Sequence, residues 1–212
     1  MSGAIILAGG KGDRIGGDKP FIKLGDRPLI SYTLEVVKKI SREIIIVVSR
    51  DIPEPTRFNS LVLKNAKVIE DMLPDGGPLI GVYSGLQYMN SEYSVILPCD
   101  APFVNEEVLR YLLKRSEDTH AVIPVWPNGY IEPLNAVYNV SAGRRASRKA
   151  IDEGKKRVND MVQMLEKTIY VPVEELKTFD QELLTFHNIN STEDLENAEK
   201  ILKKKTEKTG SR

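Results

Sequence analysis

Short, unbroken apolar runs alternate along this chain with longer amphipathic stretches, and that alternation narrows the folds open to it. Ala4-Ile5-Ile6-Leu7, Ile44 to Val48 and Val95-Ile96-Leu97 are continuous, and the last two are rich in β-branched residues. Runs of this length read as strands covered on both faces. Ala66 to Ile69, His120 to Val125, Leu134 to Tyr138 and Ile169 to Val173 are further strand candidates. Segments with helical spacing lie between them. Pro28 opens one containing Leu29, Ile30, Leu34, Val37 and Ile40, and Pro78 opens another that runs to Met89. Asn105 is placed to cap a helix over Glu106 to Lys114. Ser141 to Glu153, Arg157 to Glu166 and Ser191 to about Lys204 complete the helical set. This order predicts an α/β fold, a mostly parallel (mixed) sheet with helices on both faces.

No repeat or Pro/Ser-rich linker divides the chain, so one domain is expected over residues 1–202. Residues 203–212 are basic and poor in apolar side chains, which predicts a frayed, solvated tail. The 212 residues suffice for a substantial core without disulfides or metals. Thirty Lys and Arg balance thirty Asp and Glu, which argues against a broad nucleic-acid or anionic-membrane surface. One cysteine excludes an intrachain disulfide and a thiolate zinc cage. No apolar run approaches the ~20 residues of a membrane span, and Met1 to Gly10 lacks the basic start of a signal peptide. A soluble, cytoplasmic protein is the expectation.

The strongest local motif follows the first strand: Leu7-Ala8-Gly9-Gly10-Lys11-Gly12-Asp13-Arg14-Ile15-Gly16-Gly17-Asp18-Lys19. Glycines let a backbone approach a ligand closely, and successive N–H groups in such a turn form an anion-binding nest. Neither common phosphate motif fits. No Ser or Thr follows a Gly-Lys pair, and the dinucleotide fingerprint would need a third glycine at Ile15. Lys11, Arg14, Lys19 and Lys23 outnumber Asp13 and Asp18, a local excess of positive charge suited to a triphosphate and a leaving pyrophosphate. The same residues also read as an ordinary charged surface loop, with Arg14 paired to Asp13 or Asp18.

The second motif is Leu97-Pro98-Cys99-Asp100-Ala101-Pro102-Phe103. A carboxylate just past a buried strand is placed to hold Mg²⁺ on substrate phosphates, or to cap a turn. Cys99 reads as a small buried hydrophobe, and His120 and His187 as structural, since no nucleophile–base pair is discernible.

Leu7-Ala8-Gly9-Gly10, Arg14, Gly16 and Asp18-Lys19-Pro20 together resemble the signature loop of nucleotidyltransferases of the sugar-nucleotide-pyrophosphorylase type. Within that superfamily, four further pieces resemble the molybdenum cofactor guanylyltransferases. They are Val68 to Asp71 with Gly77 to Gly81, Leu97 to Phe103, Glu132 to Tyr138, and Asn188 to Leu195. The pieces run in order from residue 4 to about 200.

The resemblance implies a Rossmann-like nucleotidyltransferase fold and the transfer of GMP from GTP to the terminal phosphate of molybdopterin, with pyrophosphate released. It implies that Leu7, Ala8, Gly9, Gly10, Lys19, Asp71 and Asp100 bind the nucleotide, and that Arg14, Lys19 and Asp100 act on the reacting phosphates. Asp100 would hold Mg²⁺ or Mn²⁺, while Gly81, Arg157, Asn188 and Asn190 would serve the pterin substrate. Arg157 also reads as part of a solvated basic helix start, and Asn188 and Asn190 as helix caps. Transient contacts with molybdopterin-delivering proteins and apo-molybdoenzymes are implied as well. At the position after Ile46 related proteins can carry an Asn near the nucleotide; Val47 stands there in this chain, and Ser49 is the expected substitute. The N-terminal loop and the Asn-Ile-Asn segment are also similar to adenosylcobinamide-phosphate guanylyltransferases. Cytidylyl or sugar-phosphate transfer keeps the same chemistry, and a catalytically silent nucleotide-binding protein is the non-enzyme alternative.

Overall fold

The computed structural model describes residues 2–9, 11–12, 17–50, 58, 66–74 and 77–210. In chain order the first part of the molecule holds β1 (Ser2–Leu7), the two-residue strands β2 (Lys11–Gly12), β3 (Gly17–Asp18), β4 (Lys23–Leu24) and β5 (Arg27–Pro28), then α1 (Leu29–Ile40), β6 (Glu43–Val48) and β7 (Ala66–Glu70). The middle holds α2 (Pro78–Tyr88), β8 (Tyr93–Pro98), α3 (Glu106–Lys114), β9 (Ala121–Val125) and β10 (Ala136–Asn139). The remainder is α4 (Val140–Asp152), α5 (Val158–Val162), β11 (Thr168–Pro172), α6 (Val173–Leu176) and α7 (Thr192–Gly210).

Seven strands form one sheet in the order β11-β9-β10-β8-β1-β6-β7. All neighbours are parallel except β10, which runs antiparallel to β8 and β9. The continuous apolar runs are explained by cover on both faces. Ile6, Ile44, Ile46, Val95 and Leu97 point into a core built with α1 and α3. Their neighbours Ile5, Ile45, Val47 and Ile96 point the other way, into a core built with α2, α4 and α5. This is the two-residue alternation of a strand with both faces buried. Gly85 makes the second layer possible, since a Cβ there would lie 2.6 Å from Ile5 Cγ2 and 3.1 Å from Val47 Cγ2.

The chain winds outward from β1 through β6 to β7, then returns to place β8 on the other side of β1. The carboxyl ends of β1 and β8 therefore diverge at a topological switch point, where open α/β sheets bind their ligands. At the opposite edge the Glu43 carboxylate accepts hydrogen bonds from the Asn90 and Ser91 amides and the Ser91 hydroxyl. Burial opposes its ionisation, but these donors outweigh it and hold the carboxyl below its usual range.

Two helices depart from the sequence expectation. α5 stops at Val162, because Met164 and Leu165 donate to the carbonyls three residues back and tighten into a turn. α7 continues to Gly210, through most of the segment expected to fray, since Lys and Glu are good helix formers. Leu195, Ala198, Ile201 and Leu202 of α7 pack with Leu24, Leu29, Phe103 and Ile189 in a third, small core. No described helix is long and apolar enough to cross a membrane.

Candidate active site

The switch-point edge is built from strand ends. The Leu7 carbonyl accepts the Cys99 amide at 3.0 Å, and the Ala8 amide donates to the Val47 carbonyl at 2.7 Å. Gly9 follows, exposed, and a Cβ there would lie 3.1 Å from the Ser49 amide nitrogen. Absence of a side chain thus lets the glycine turn close onto the end of β6. Gly10 and Arg14 lie outside the described residues. Lys11 contributes its backbone, paired with Asp18 in the β2–β3 ribbon.

Asp100 and Lys19 meet across this edge. Asp100 stands two residues beyond β8, and its main-chain carbonyl accepts the Ile189 amide at 2.9 Å. Its Oδ2 forms an ion pair with Lys19 Nζ, which also donates to Asn190 Oδ1 at 2.7 Å. Asn190 is available because it is not the helix cap. Ser191 Oγ accepts the Asp194 amide, and Asp194 Oδ2 accepts the Asn190 and Ser191 amides. Those bonds, with the Asn190 amide foremost, hold the Asp194 carboxyl below its usual range. This reciprocal box begins α7 and leaves the Asn190 side chain facing Lys19.

A second group forms where α2 begins. The Asp71 amide donates to Val48 O at 2.9 Å, and Arg50 fixes the turn by donating to the carbonyls of Asp71 at 2.7 Å and Met72 at 2.8 Å. The Met72 amide in turn donates to Ser84 Oγ at 2.9 Å. A Cβ on Gly81 would lie 3.2 Å from Leu7 Cδ2 and 3.7 Å from Asp71 Oδ1. Gly81 therefore lies against both Leu7 and Asp71, two of the residues expected to bind the nucleotide. Burial pushes the Asp71 carboxyl up to about 6, with Arg50 pulling the other way.

Several buried polar atoms here have no partner: Asp71 Oδ1, Asp100 Oδ1, His187 Nε2, Asn188 Oδ1, and both side-chain atoms of Asn135. Buried polar groups are nearly always satisfied, so such a concentration marks places where a ligand completes the bonding. The free Asp100 oxygen suits a divalent cation, although the described residues nowhere gather three or more potential protein ligands. One carboxylate completed by substrate phosphates and water fits Mg²⁺. Arg157 is exposed at the start of α5, and no hydrogen bond or ion pair joins its guanidinium to the Lys19–Asp100–Asn190 cluster. Cys99 is buried, and burial raises its thiol far above the range for thiolate chemistry.

Three participants at this edge had no role in the sequence expectations. Arg50 and Ser84 hold the Asp71 turn, and Trp126 Nε1 donates to Glu132 Oε1 at 2.7 Å. Glu132 was visible only as part of a motif; its pairing depends on a chain reversal that spacing does not specify.

A family model described as the MobA-like NTP transferase domain matches residues 4–168. A Methanocaldococcus jannaschii protein named probable molybdenum cofactor guanylyltransferase is 32% identical over 197 residues, covering 90% of this chain and 95% of that one. A Thermococcus gammatolerans protein of the same name is 36% identical over 201 residues, covering 92% and 97%. The solved structure of molybdopterin-guanine dinucleotide biosynthesis protein A from Archaeoglobus fulgidus superposes with a TM-score of 0.82 at 33% identity, covering 95% of this chain and 99% of that one.

Proposed function

Because the chain belongs to the MobA-like NTP transferase family and is a nucleotidyltransferase, we propose that it transfers GMP from GTP to the terminal phosphate of molybdopterin. An acceptor phosphate oxygen forms a bond to the α-phosphorus of GTP as the α–β bridging bond breaks. Pyrophosphate leaves with that electron pair, and a pterin–guanine dinucleotide remains. The observation that carries this reading is the Lys19–Asp100–Asn190 cluster at the switch point, with one Asp100 oxygen buried and unpartnered.

Both reactants are anionic phosphates, so catalysis is chiefly neutralisation and alignment. Lys19 supplies a cation that moves from Asp100 to the phosphate chain, and Arg14 is assigned the same task within the glycine loop. Asp100 would hold Mg²⁺, which when bound would lower the repulsion between nucleophile and triphosphate. Leu7, Ala8, Gly9 and Gly10 are assigned to the nucleotide, and Asp71 accepts hydrogen bonds from it. Asn188 and Asn190 orient the pterin phosphate beside Asp100. Arg157 is assigned to the distal part of that substrate. No protein nucleophile is needed, consistent with the buried, protonated Cys99. We place the reaction in the cytoplasm, with molybdopterin-delivering proteins and apo-molybdoenzymes as transient partners.

Pyrophosphate release with Mg²⁺ tests the assignment, each of the four NTPs being offered with molybdopterin or cobinamide phosphate. Release with GTP and molybdopterin is expected. Release with ATP but not GTP, or with cobinamide phosphate alone, overturns it.

A further inference from the structure

We propose that Glu132, braced by Trp126 and Asn135, forms the subsite that reads the 2-amino-4-oxopyrimidine edge of the acceptor's fused heterocycle. This rests on the pterin acceptor of the reaction proposed above.

The subsite is made by a tight reversal after β9. The Trp126 amide donates to the Tyr130 carbonyl at 2.8 Å, and the Gly129 amide returns to the Trp126 carbonyl at 2.9 Å. Gly129 takes a φ of 83°, a region that favours glycine. Ile131 bridges back to Val125, and the Glu132 amide donates to the Pro124 carbonyl at 2.9 Å. Glu132 is thereby returned to the strand end, where the Trp126 indole N–H takes one of its carboxylate oxygens. The next residue is pinned as well, since the Tyr138 hydroxyl donates to the Pro133 carbonyl at 2.7 Å. A carboxylate fixed this firmly is prepared for a partner of defined shape.

Asn135 supplies the second observation. It is 1% exposed and close enough to Glu132 to offset part of the rise in its pKa that burial causes. Yet neither its side-chain oxygen nor its nitrogen makes a hydrogen bond of acceptable geometry. A leucine would fill such a place at no polar cost, so the amide is unexplained by packing alone.

Position selects the ligand. β9 and β10 lie on the far side of β8 from Leu7, Asp71 and Gly81. At about 4.8 Å per strand, β9 stands about 10 Å across the sheet from the strand that carries Asp100. The two points are joined by contacts. Trp126 packs edge-on against Phe186 with ring centroids 5.8 Å apart, His187 and Asn188 follow with unpartnered atoms, and Ile189 bonds to Asp100. A phosphate at Asp100 with a heterocycle tethered to it spans this strip. An ionised carboxylate accepts the two adjacent N–H groups of a 2-amino-4-oxopyrimidine, and an amide supplies a donor and an acceptor beside them. The guanine of GTP offers the same edge, so the test must separate the two sources.

Trp126 is the only tryptophan among the 212 residues, so its emission reports on this spot alone. The protein is titrated with 6-hydroxymethylpterin and separately with GTP, with inner-filter correction against free tryptophan. Saturable quenching by the pterin is expected, and none by GTP. Glu132→Gln is expected to weaken pterin binding at least about tenfold, the loss of a charge-assisted hydrogen bond. Its GTP affinity by calorimetry should stay within about twofold. Trp126→Phe, which keeps a ring but drops the N–H, should weaken pterin binding by calorimetry and serves if Glu132→Gln does not fold. Absence of saturable quenching, unchanged pterin affinity in the variant that folds, or a loss that falls on GTP overturns the proposal. Wild-type protein that transfers GMP to molybdopterin without those signatures overturns the subsite alone, whereas failure of transfer overturns the reaction assigned above.

Discussion

Asp100 carries different loads on its two carboxylate oxygens: one is paired with Lys19 and the other is buried without a partner. Asp100→Asn preserves size and removes the charge that both a metal and Lys19 require. It is expected to lower kcat/KM at least about 100-fold while the melting temperature moves only a few degrees. Full activity in steady-state pyrophosphate release would remove Asp100 from the reaction. Asp71 makes a different prediction, about pH. Its carboxyl titrates near 6 against an ordinary 3.8 because burial disfavours the charge. Between those values the folded protein holds a proton that the unfolded chain has lost, so stability falls as pH rises through about 6. Asp71→Asn should therefore stabilise the protein by roughly 1–2 kcal/mol at pH 7.5, have little effect at pH 4, and weaken GTP binding. Urea denaturation at the two pH values checks this, and equal effects at both would exclude the buried charge as the cause.

Helices and strands were legible where one local rule governs them. The continuous apolar runs became two-faced strands, and Asn105 does cap α3, accepting the Glu107 amide at 2.8 Å. The cap of α7 is Ser191, with Asp194 closing the box, although Asn188 and Asn190 are equally good cap residues in isolation. Only the docking of α7 decides among them. The place of Leu7, Asp71 and Asp100 at one edge was legible because each ends or follows a strand of a parallel set. The Trp126–Glu132 pair was not, because it depends on the Gly129 reversal and on β10 running against its neighbours. Gly81 was expected on the acceptor side, and its closeness to Leu7 and Asp71 could not be read from spacing. α2 itself seats on the sheet through its glycines. Gly85→Ala would drive a methyl into Ile5 and Val47, and about 1–3 kcal/mol of destabilisation is expected by urea denaturation. A neutral result would mean that the helix shifts freely on the sheet.

At the scale of the molecule, overall charge neutrality coexists with a local lysine, Lys19, held at the sheet edge by Asp100 and Asn190 and able to turn toward an anion. Neutrality excludes a broad polyanion surface and still permits one anionic ligand. GTP with Mg²⁺ at about 100 times its Kd should stabilise the fold by about 2.7 kcal/mol, a rise of roughly 5–10 °C in Tm. ATP should produce a clearly smaller rise, and equal shifts in a thermal melt would count against guanine selectivity.

The hydrogen bond from Lys19 to Asn190 joins residues 171 positions apart. During synthesis, the glycine turn and its lysine leave the ribosome long before the asparagine that orients the lysine has been translated. The strand that carries Asp100 comes midway, and α7, which sets Asn190 in place, comes last. A growing chain can therefore assemble most of its sheet and still lack the contact between Lys19 and Asn190. The residues proposed to carry transfer are therefore brought together only once α7 seats against Leu24, Leu29 and Phe103.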